Sequence, residues 1–424
     1  MHRLGPYGFA AILGCVGLVL VGWTGLLVPS LVRSIKLDFG QSDAGIGVFF
    51  FVNAVSYAGG AMFGGLLTER FGRRTVLCVA VLMVVLGLIV LATVQSWNLV
   101  LISAVPFGLG SGAIDGGTNG LILDLYPDSR GRALNLLHLF FSLGAFASPL
   151  LVGRLVEAGV PWQTIVIGTA VVALPLAALF AIADAPSGRH ATGAATGAAR
   201  IGLSLPLIAL GVAIACYVAS EAGVSNWLVR FLDAAPVGLA TSALALFWGS
   251  LALGRLASAK WSDRFDHARL AAASSLVAAI TLTAAIVAPS LPASILLFGV
   301  LGFAYGPVFP LIMAVGGDLF PGRSAAVSGV LSGAAVIGSI VYPPLMGFLS
   351  VGVGLGVAMG GAAALVLVSA IVLFLVDRQA RVARGGVGCA GRCGTAAPLA
   401  RRSRTDGRRR AVVDHDPPKE RAAL

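Results

Sequence analysis

The sequence predicts an all-α, polytopic membrane protein, with twelve transmembrane helices in two pseudo-symmetric six-helix bundles. Three observations carry that expectation. Hydrophobic residues make up 58% of the 424-residue chain and charged residues only 11%, against roughly 25% charged in soluble globular domains. The apolar residues fall into twelve runs, each near the ~20 residues that a helix needs to cross a bilayer. The second six runs repeat charged and proline positions of the first six at a constant offset.

The runs lie near residues 8–32, 43–67, 76–95, 99–125, 133–156 and 162–183, then near 203–231, 240–258, 269–289, 293–317, 324–350 and 353–376. The first is too long for a signal-peptide core and no clear cleavage site follows it, so it reads as a retained helix. The predicted segments are a six-span bundle over 1–183, a linker over 184–202, a second bundle over 203–376 and a basic tail over 377–424. The linker is rich in Gly, Ala and Thr and reads as a flexible connection. The tail carries 12 Lys/Arg against 5 Asp/Glu. With few large apolar residues it is expected to be disordered.

Charge sets the orientation. If the N-terminus is cytoplasmic, 25 of the 29 Lys and Arg fall on the cytoplasmic side, leaving Arg33, Lys36, Arg154 and Arg230 outside. That bias predicts both termini in the cytoplasm of an inner (plasma) membrane. The net charge of +11 sits mostly in the tail and loops, a poor pattern for nucleic-acid binding. Cys15, Cys78 and Cys216 lie within apolar runs and read as small packing residues. Cys389 and Cys393, in the tail, read as free thiols in preference to a metal or redox pair. No cofactor or metal site is read, and no G-x-x-x-x-G-K-[ST] loop supports ATP drive.

The repeat is specific. Glu69-Arg70-Phe71 recurs as Asp263-Arg264-Phe265, and Asp124-Leu-Tyr-Pro127 recurs as Asp318-Leu-Phe-Pro321, each 194 residues on. The same offset pairs Gly60 with Gly254, Gly108 with Gly302, Gly112 with Gly306, Gly144 with Gly338, Pro149 with Pro343 and Gly153 with Gly347. Between spans 2 and 3 stands Gly65-Leu-Leu-Thr-Glu69-Arg70-Phe-Gly72-Arg73-Arg74. Gly72 permits a tight turn. This string, G-x-x-x-[DE]-R-x-G-R-R between two spans, resembles the loop between helices 2 and 3 of the major facilitator superfamily. Glu69 stands where that family usually has Asp, and Asp266 and His267 replace the Gly and Arg in the second copy. The resemblance implies a parallel duplication whose halves rock about a central cavity near the bilayer midplane. It also implies a conformational latch: Glu69 and Arg70 with Asp124, and Asp263 and Arg264 with Asp318, pairing across the cytoplasmic face when the carrier opens outward.

Two acids fall deep inside predicted spans: Asp115 in span 4 and Glu221 in span 7. A carboxylate within a bilayer is costly and marks a functional hypothesis, here binding and release of a proton. Asp115 lies about 15 Å from the inner end of its helix, close to midplane. No Lys or Arg is expected deep in a span to neutralise it. Asp115 and Asn119 are spaced i, i+4 and share a helix face. In span 5, Asn135 and His138 do the same at i, i+3. The stretches Gly110-Ser-Gly112-Ala-Ile-Asp115-Gly-Gly-Thr-Asn119, Leu134-Asn135-Leu-Leu-His138 and Tyr217-Val-Ala-Ser-Glu221-Ala-Gly-Val-Ser-Asn226-Trp227 resemble the fucose permease-like branch, the fucose–galactose–proton symporters. That branch implies Asp115 as the proton-coupling or sugar-binding acid, with Asn119, Asn135 and His138 as hydrogen-bonding groups and Asn226 beside them. Two departures stand out: Gly120 replaces the Pro that usually follows the helix 4 Asn, and span 1 lacks the branch's acid. Glu221 is the candidate to take its place. Trp23, Tyr217, Trp227 and Trp248 lie on cavity-prone helices, where an aromatic face can stack on a sugar ring.

On that resemblance the expected function is secondary active transport of a small polar solute, sugar or sugar-like, by alternating access and coupled to protons. The expected partners are the solute, protons and the lipid bilayer, with the chain acting as a monomer and not as an enzyme. Proton-driven efflux of drugs or metabolites is the second reading. A non-transporting receptor or scaffold is the third, and it would not need paired latches and midplane carboxylates.

Overall fold

The computed structural model describes residues 7–126, 130–183, 204–261, 264–321 and 323–390. Among these the helices are α1 (Gly8–Asp38), α2 (Asp43–Phe71), α3 (Arg73–Thr93), α4 (Trp97–Leu125), α5 (Arg130–Glu157) and α6 (Trp162–Ile182). They continue as α7 (Leu205–Phe231), α8 (Val237–Trp261), α9 (His267–Ile286), α10 (Leu291–Tyr305), α11 (Val308–Leu319), α12 (Ser324–Val353) and α13 (Leu355–Ala390). Twelve stretches are long and apolar enough to cross a membrane, α10 and α11 together forming one of them. The expected linker over 184–202 lies outside the described residues, as does the tail beyond 390; before that, α13 is helical through Ala390. The chain divides into units of residues 1–379 and 380–424, and the description below concerns the first.

Local chemistry sets the helix ends. Ser42 caps α2 by accepting the Gly45 N–H, and Asp266 caps α9 by accepting the N–H groups of Ala268 and Arg269. Gly72, at φ +81°, is at once the last cap of α2 and the first of α3, so one left-handed residue makes the whole connection. The tenth run, read as continuous over 293–317, is broken at Gly306–Pro307. Pro307 has no N–H to donate and its ring crowds the preceding turn.

The repeat is visible in the packing. A Cβ on Gly60 would strike the Leu109 carbonyl, one on Gly108 the Asn53 carbonyl, and one on Gly112 the Tyr57 carbonyl. In the second half Gly254 meets Phe303, Gly302 meets Phe247 and Gly306 meets Leu251 in the same way. The partners Leu109 and Phe303, Asn53 and Phe247, and Tyr57 and Leu251 are themselves each 194 residues apart. The glycines therefore let α2 lie backbone to backbone on α4, and α8 on α10. Gly144 and Gly338 do the same for α5 on α1 and α12 on α7, so these glycines serve close packing.

Between the halves, α2 packs on α12, α5 on α8 and α1 on α7. Exchanging the repeats swaps the first two contacts and maps the third onto itself, the pattern of a pseudo-two-fold axis. Large apolar side chains such as Val172, Ile182 and Leu296 project outward, which suits a surface solvated by lipid tails.

Candidate functional site

Asp115 sits midway along α4, half-buried, and both its oxygens are engaged. The Tyr57 hydroxyl of α2 donates to Oδ2 at 2.7 Å, and the Asn119 amide donates to Oδ1 at 3.0 Å. The second bond is the expected i, i+4 pairing. The first was not anticipated. It depends on the α2–α4 glycine contact, because Gly112 rests on the Tyr57 carbonyl and brings that backbone to α4. The other amide atom of Asn119, Oδ1, is buried with no hydrogen-bond partner among the described residues. His138 on α5 is half-buried and feels the charges of Asp115 and Arg255. The Asn135 side chain lies outside the described residues.

On the other side of the seam, Tyr217 donates its hydroxyl to the Glu221 carboxylate one turn along α7, and that hydroxyl also lies 3.1 Å from the Tyr305 carbonyl. The Tyr217 and Tyr305 rings meet edge to face at 5.5 Å. Ser220 ties the cluster together, bonded to Tyr305 Oη at 2.6 Å and to the Ala362 carbonyl at 2.7 Å. Asp115 and Glu221 thus stand in opposite halves, each on a tyrosine. Asn226 is half-buried and makes no hydrogen bond among the described residues.

The tryptophans differ in what is left free. Trp227 is fully buried, donates to the Pro343 carbonyl at 2.7 Å and packs on Phe50 of the first half, so it belongs to the seam. Trp248 donates to Ser225 at 2.8 Å and meets Phe141 of the first half. Trp23 is half-buried and donates to Thr169 at 3.1 Å. Tyr217 is fully buried in the cluster above.

Among the described residues Asp115 has no Lys or Arg bonded to it, its partners being Tyr57 and Asn119. Arg255 of α8 exerts an electrostatic influence on Glu221, Tyr217 and His138. It lies close to the end of its apolar run, where it counts as an ordinary loop-proximal charge.

At the α2–α3 end, Arg73 Nη2 donates to Asp124 Oδ2 at 2.8 Å, while His267 Nδ1 pairs with Asp318 Oδ2 at 2.8 Å. His267 and Asp318 lie 194 residues beyond Arg73 and Asp124, so the histidine occupies the arginine's place. Arg74 donates to the Ala181 carbonyl, and Arg70 stacks on the Phe71 ring. Glu69 is half-buried, Arg264 is exposed and Gly65 faces open space. Asp263 lies outside the described residues.

The opposite, α1–α2 end is where the halves are bonded together. Asp43, 7% exposed, accepts from Lys36, from Arg230 Nε at 3.1 Å and from Ser350 Oγ at 3.0 Å. Arg33 donates to the carbonyls of Val229, Leu232 and Ala235 and lies 3.3 Å from Asp233. Glu157 accepts the Gly238 N–H at 3.0 Å, and Gly47 and Gly153 press on Pro344 and Thr241. Among the described residues, every hydrogen bond and ion pair between the halves is at this end. The carboxylate sites lie between that closed end and the α2–α3 end.

Comparison with known proteins agrees with this architecture. A 143-residue stretch is 27% identical to the sodium-dependent glucose transporter 1A of Mus musculus, covering 34% of this chain and 32% of that protein. The match thus spans about a third of the relative's length. The structure of a bacterial homologue of the human lysosomal transporter Spinster, inward-facing and unoccupied, superposes with a TM-score of 0.75 at 16% identity, covering 89% of this chain and 98% of that one. That of the E. coli fucose:proton symporter FucP superposes at 0.61 with 18% identity, covering 88% and 99%. At such identities the likeness is one of fold, that of transporters. The model of the Major Facilitator Superfamily matches residues 12–234 and 198–397, and the chain therefore belongs to that superfamily, as a multi-pass membrane protein.

Proposed function

We propose that the chain is a secondary carrier that moves a small, sugar-like polar solute by alternating access and couples that movement to protons. The observation that carries the reading is Asp115, a carboxylate in the middle of a membrane helix with Tyr57 and Asn119 holding its two oxygens. A carboxylate in that position is costly unless it works, and hydroxyl and amide neighbours suit both a sugar hydroxyl and a migrating proton. The glucose transporter and fucose symporter among the similar proteins support the solute class. The Lys/Arg bias supports an inner (plasma) membrane with both termini, and hence the α2–α3 end, in the cytoplasm. The bonded α1–α2 end then faces outward, and this conformation is the inward-facing one. In the outward-facing one, Glu69, Arg70, Asp124, Asp263, Arg264 and Asp318 latch the cytoplasmic face, with 184–202 as the linker between bundles and 377–424 as a basic cytoplasmic tail. The carrier works as a monomer.

The test is uptake of radiolabelled glucose and fucose into proteoliposomes under an imposed pH gradient. Wild type accumulates sugar. Asp115→Asn abolishes gradient-driven accumulation and leaves sugar exchange. Accumulation that ignores the pH gradient but follows a sodium gradient would remove proton coupling. Full accumulation by Asp115→Asn would remove its role.

A further inference from the structure

Arg255 is unaccounted for by the carrier scheme above. The Trp248–Ser225 hydrogen bond pins the antiparallel register of α8 on α7. Seven residues further along α8 is two helical turns, about 10 Å, and brings Arg255 onto nearly the same face as Trp248. The equivalent distance along α7, running the other way from Ser225, spans Glu221 and Tyr217. The α5–α8 register gives the same level from the other half. Gly153 meets Thr241, Phe146 meets Gly249 and Phe141 meets Trp248, so the antiparallel course of α5 brings His138 level with Arg255. The arginine therefore stands at the seam of the two halves, beside His138 of one and Glu221 of the other. The charge influences already described agree with this placement.

Arg255 is half-buried, and among the described residues it makes no hydrogen bond and no ion pair. Glu221, level with it on α7, accepts the Tyr217 hydroxyl. A guanidinium offers five N–H donors in a planar fork that matches a carboxylate bidentately. A cation within a membrane protein is retained where it has a partner or a task. Arg255 lies six residues, about 9 Å, from the end of α8, toward the α2–α3 end.

We propose that Arg255 is an anion-binding residue of the transport site and that the solute is a sugar acid, its carboxylate held by the Arg255 fork while its hydroxyls meet the Tyr57–Asp115–Asn119 cluster. The inference rests on the sugar-carrier reading and narrows its substrate class. A lysine at this position would supply charge without the fork, and a glutamine would supply neither.

The experiment measures equilibrium binding of glucose, glucuronate and glucose 6-phosphate to the purified full chain in detergent, by isothermal titration calorimetry. Wild type, Arg255→Lys and Arg255→Gln are compared. Wild type is expected to bind glucuronate about 10- to 100-fold more tightly than glucose. Arg255→Gln is expected to bring that ratio to about one, and Arg255→Lys to leave an intermediate preference. Equal affinity of wild type for the acid and the neutral sugar overturns the inference. So does an Arg255→Gln variant that weakens both sugars alike, since that marks a structural or counter-ion role. Tighter binding of glucose 6-phosphate than of glucuronate overturns the carboxylate assignment. Glucose binding without any preference for the acid leaves the sugar-carrier reading standing, whereas binding of none of the three removes both.

Discussion

At the scale of single residues, the two membrane carboxylates differ in how they are held. Asp115 takes one hydrogen bond from its own helix and one across to α2, whereas Glu221 takes its bond from Tyr217 one turn away. Removing the Tyr57 hydroxyl should therefore disturb Asp115 without touching Glu221. Tyr57→Phe is expected to lower sugar affinity about tenfold, the loss of one hydrogen bond to a charged group, while the fold keeps its melting temperature. Isothermal titration and thermal unfolding in detergent check the two halves of that statement. The pairing of Asp115 with Asn119 was legible because i, i+4 spacing depends on helix geometry alone. Tyr57 was not, because nothing local says which residue of another helix will face a given carboxylate. Arg255 has no local signature either, because an arginine near the end of an apolar run reads as topology, and only the register with α5 and α7 shows what it faces.

At the scale of elements, the glycines divide into two groups with opposite expectations. A Cβ on Gly112 would strike the Tyr57 carbonyl, while one on Gly65 would meet nothing within 4 Å. Gly112→Ala is expected to force α2 off α4 and to cost about 1–3 kcal/mol, read as a lower melting temperature, together with weaker sugar binding because Tyr57 moves with α2. Gly65→Ala, in an open helical position, should unfold at or slightly above the wild-type temperature. The helices themselves were plain from the apolar runs. The fixed offset of 194 foretold which glycines correspond, but not that their contact partners would correspond too. The break at Gly306–Pro307 was hidden, since apolar residues continue on both sides of it. The substitution of His267 for Arg73 looked like decay of the second motif in the sequence. In the fold it is a replacement, with the same acid at the same place.

At the scale of the whole molecule, closure at the α1–α2 end converges on Asp43, a buried acid serving Lys36 of α1, Arg230 of α7 and Ser350 of α12. Neutralising it leaves two cations facing each other without their shared anion. Removing one partner of a buried ion pair costs about 3–5 kcal/mol, enough to displace a two-state equilibrium by a factor of a hundred or more. Asp43→Asn is expected to open this end. Spin labels at Leu37 and Ala234, which lie at that end in opposite halves, should report a longer distance than in wild type. An unchanged distance distribution would show that apolar packing, and not Asp43, holds the end shut. The sequence pointed to the latch on the cytoplasmic loops because their motif is compact. The Asp43 group is scattered over α1, α2, α7 and α12, so it has no signature to read.

The duplication is not uniform along its length, and that has a consequence for the unpaired carboxylate. Gly144 meets Val19 and Trp23, whereas Gly338 meets Ala215 and Ala219, so α1 and α7 correspond at an offset of 196 and not 194. By that count the counterpart of Glu221 is Gly25, around which a Cβ would find nothing within 4 Å. The first bundle thus keeps an empty berth at the depth where the second carries its acid. An ancestor with a matching carboxylate on α1 would have needed no change of backbone to become this chain.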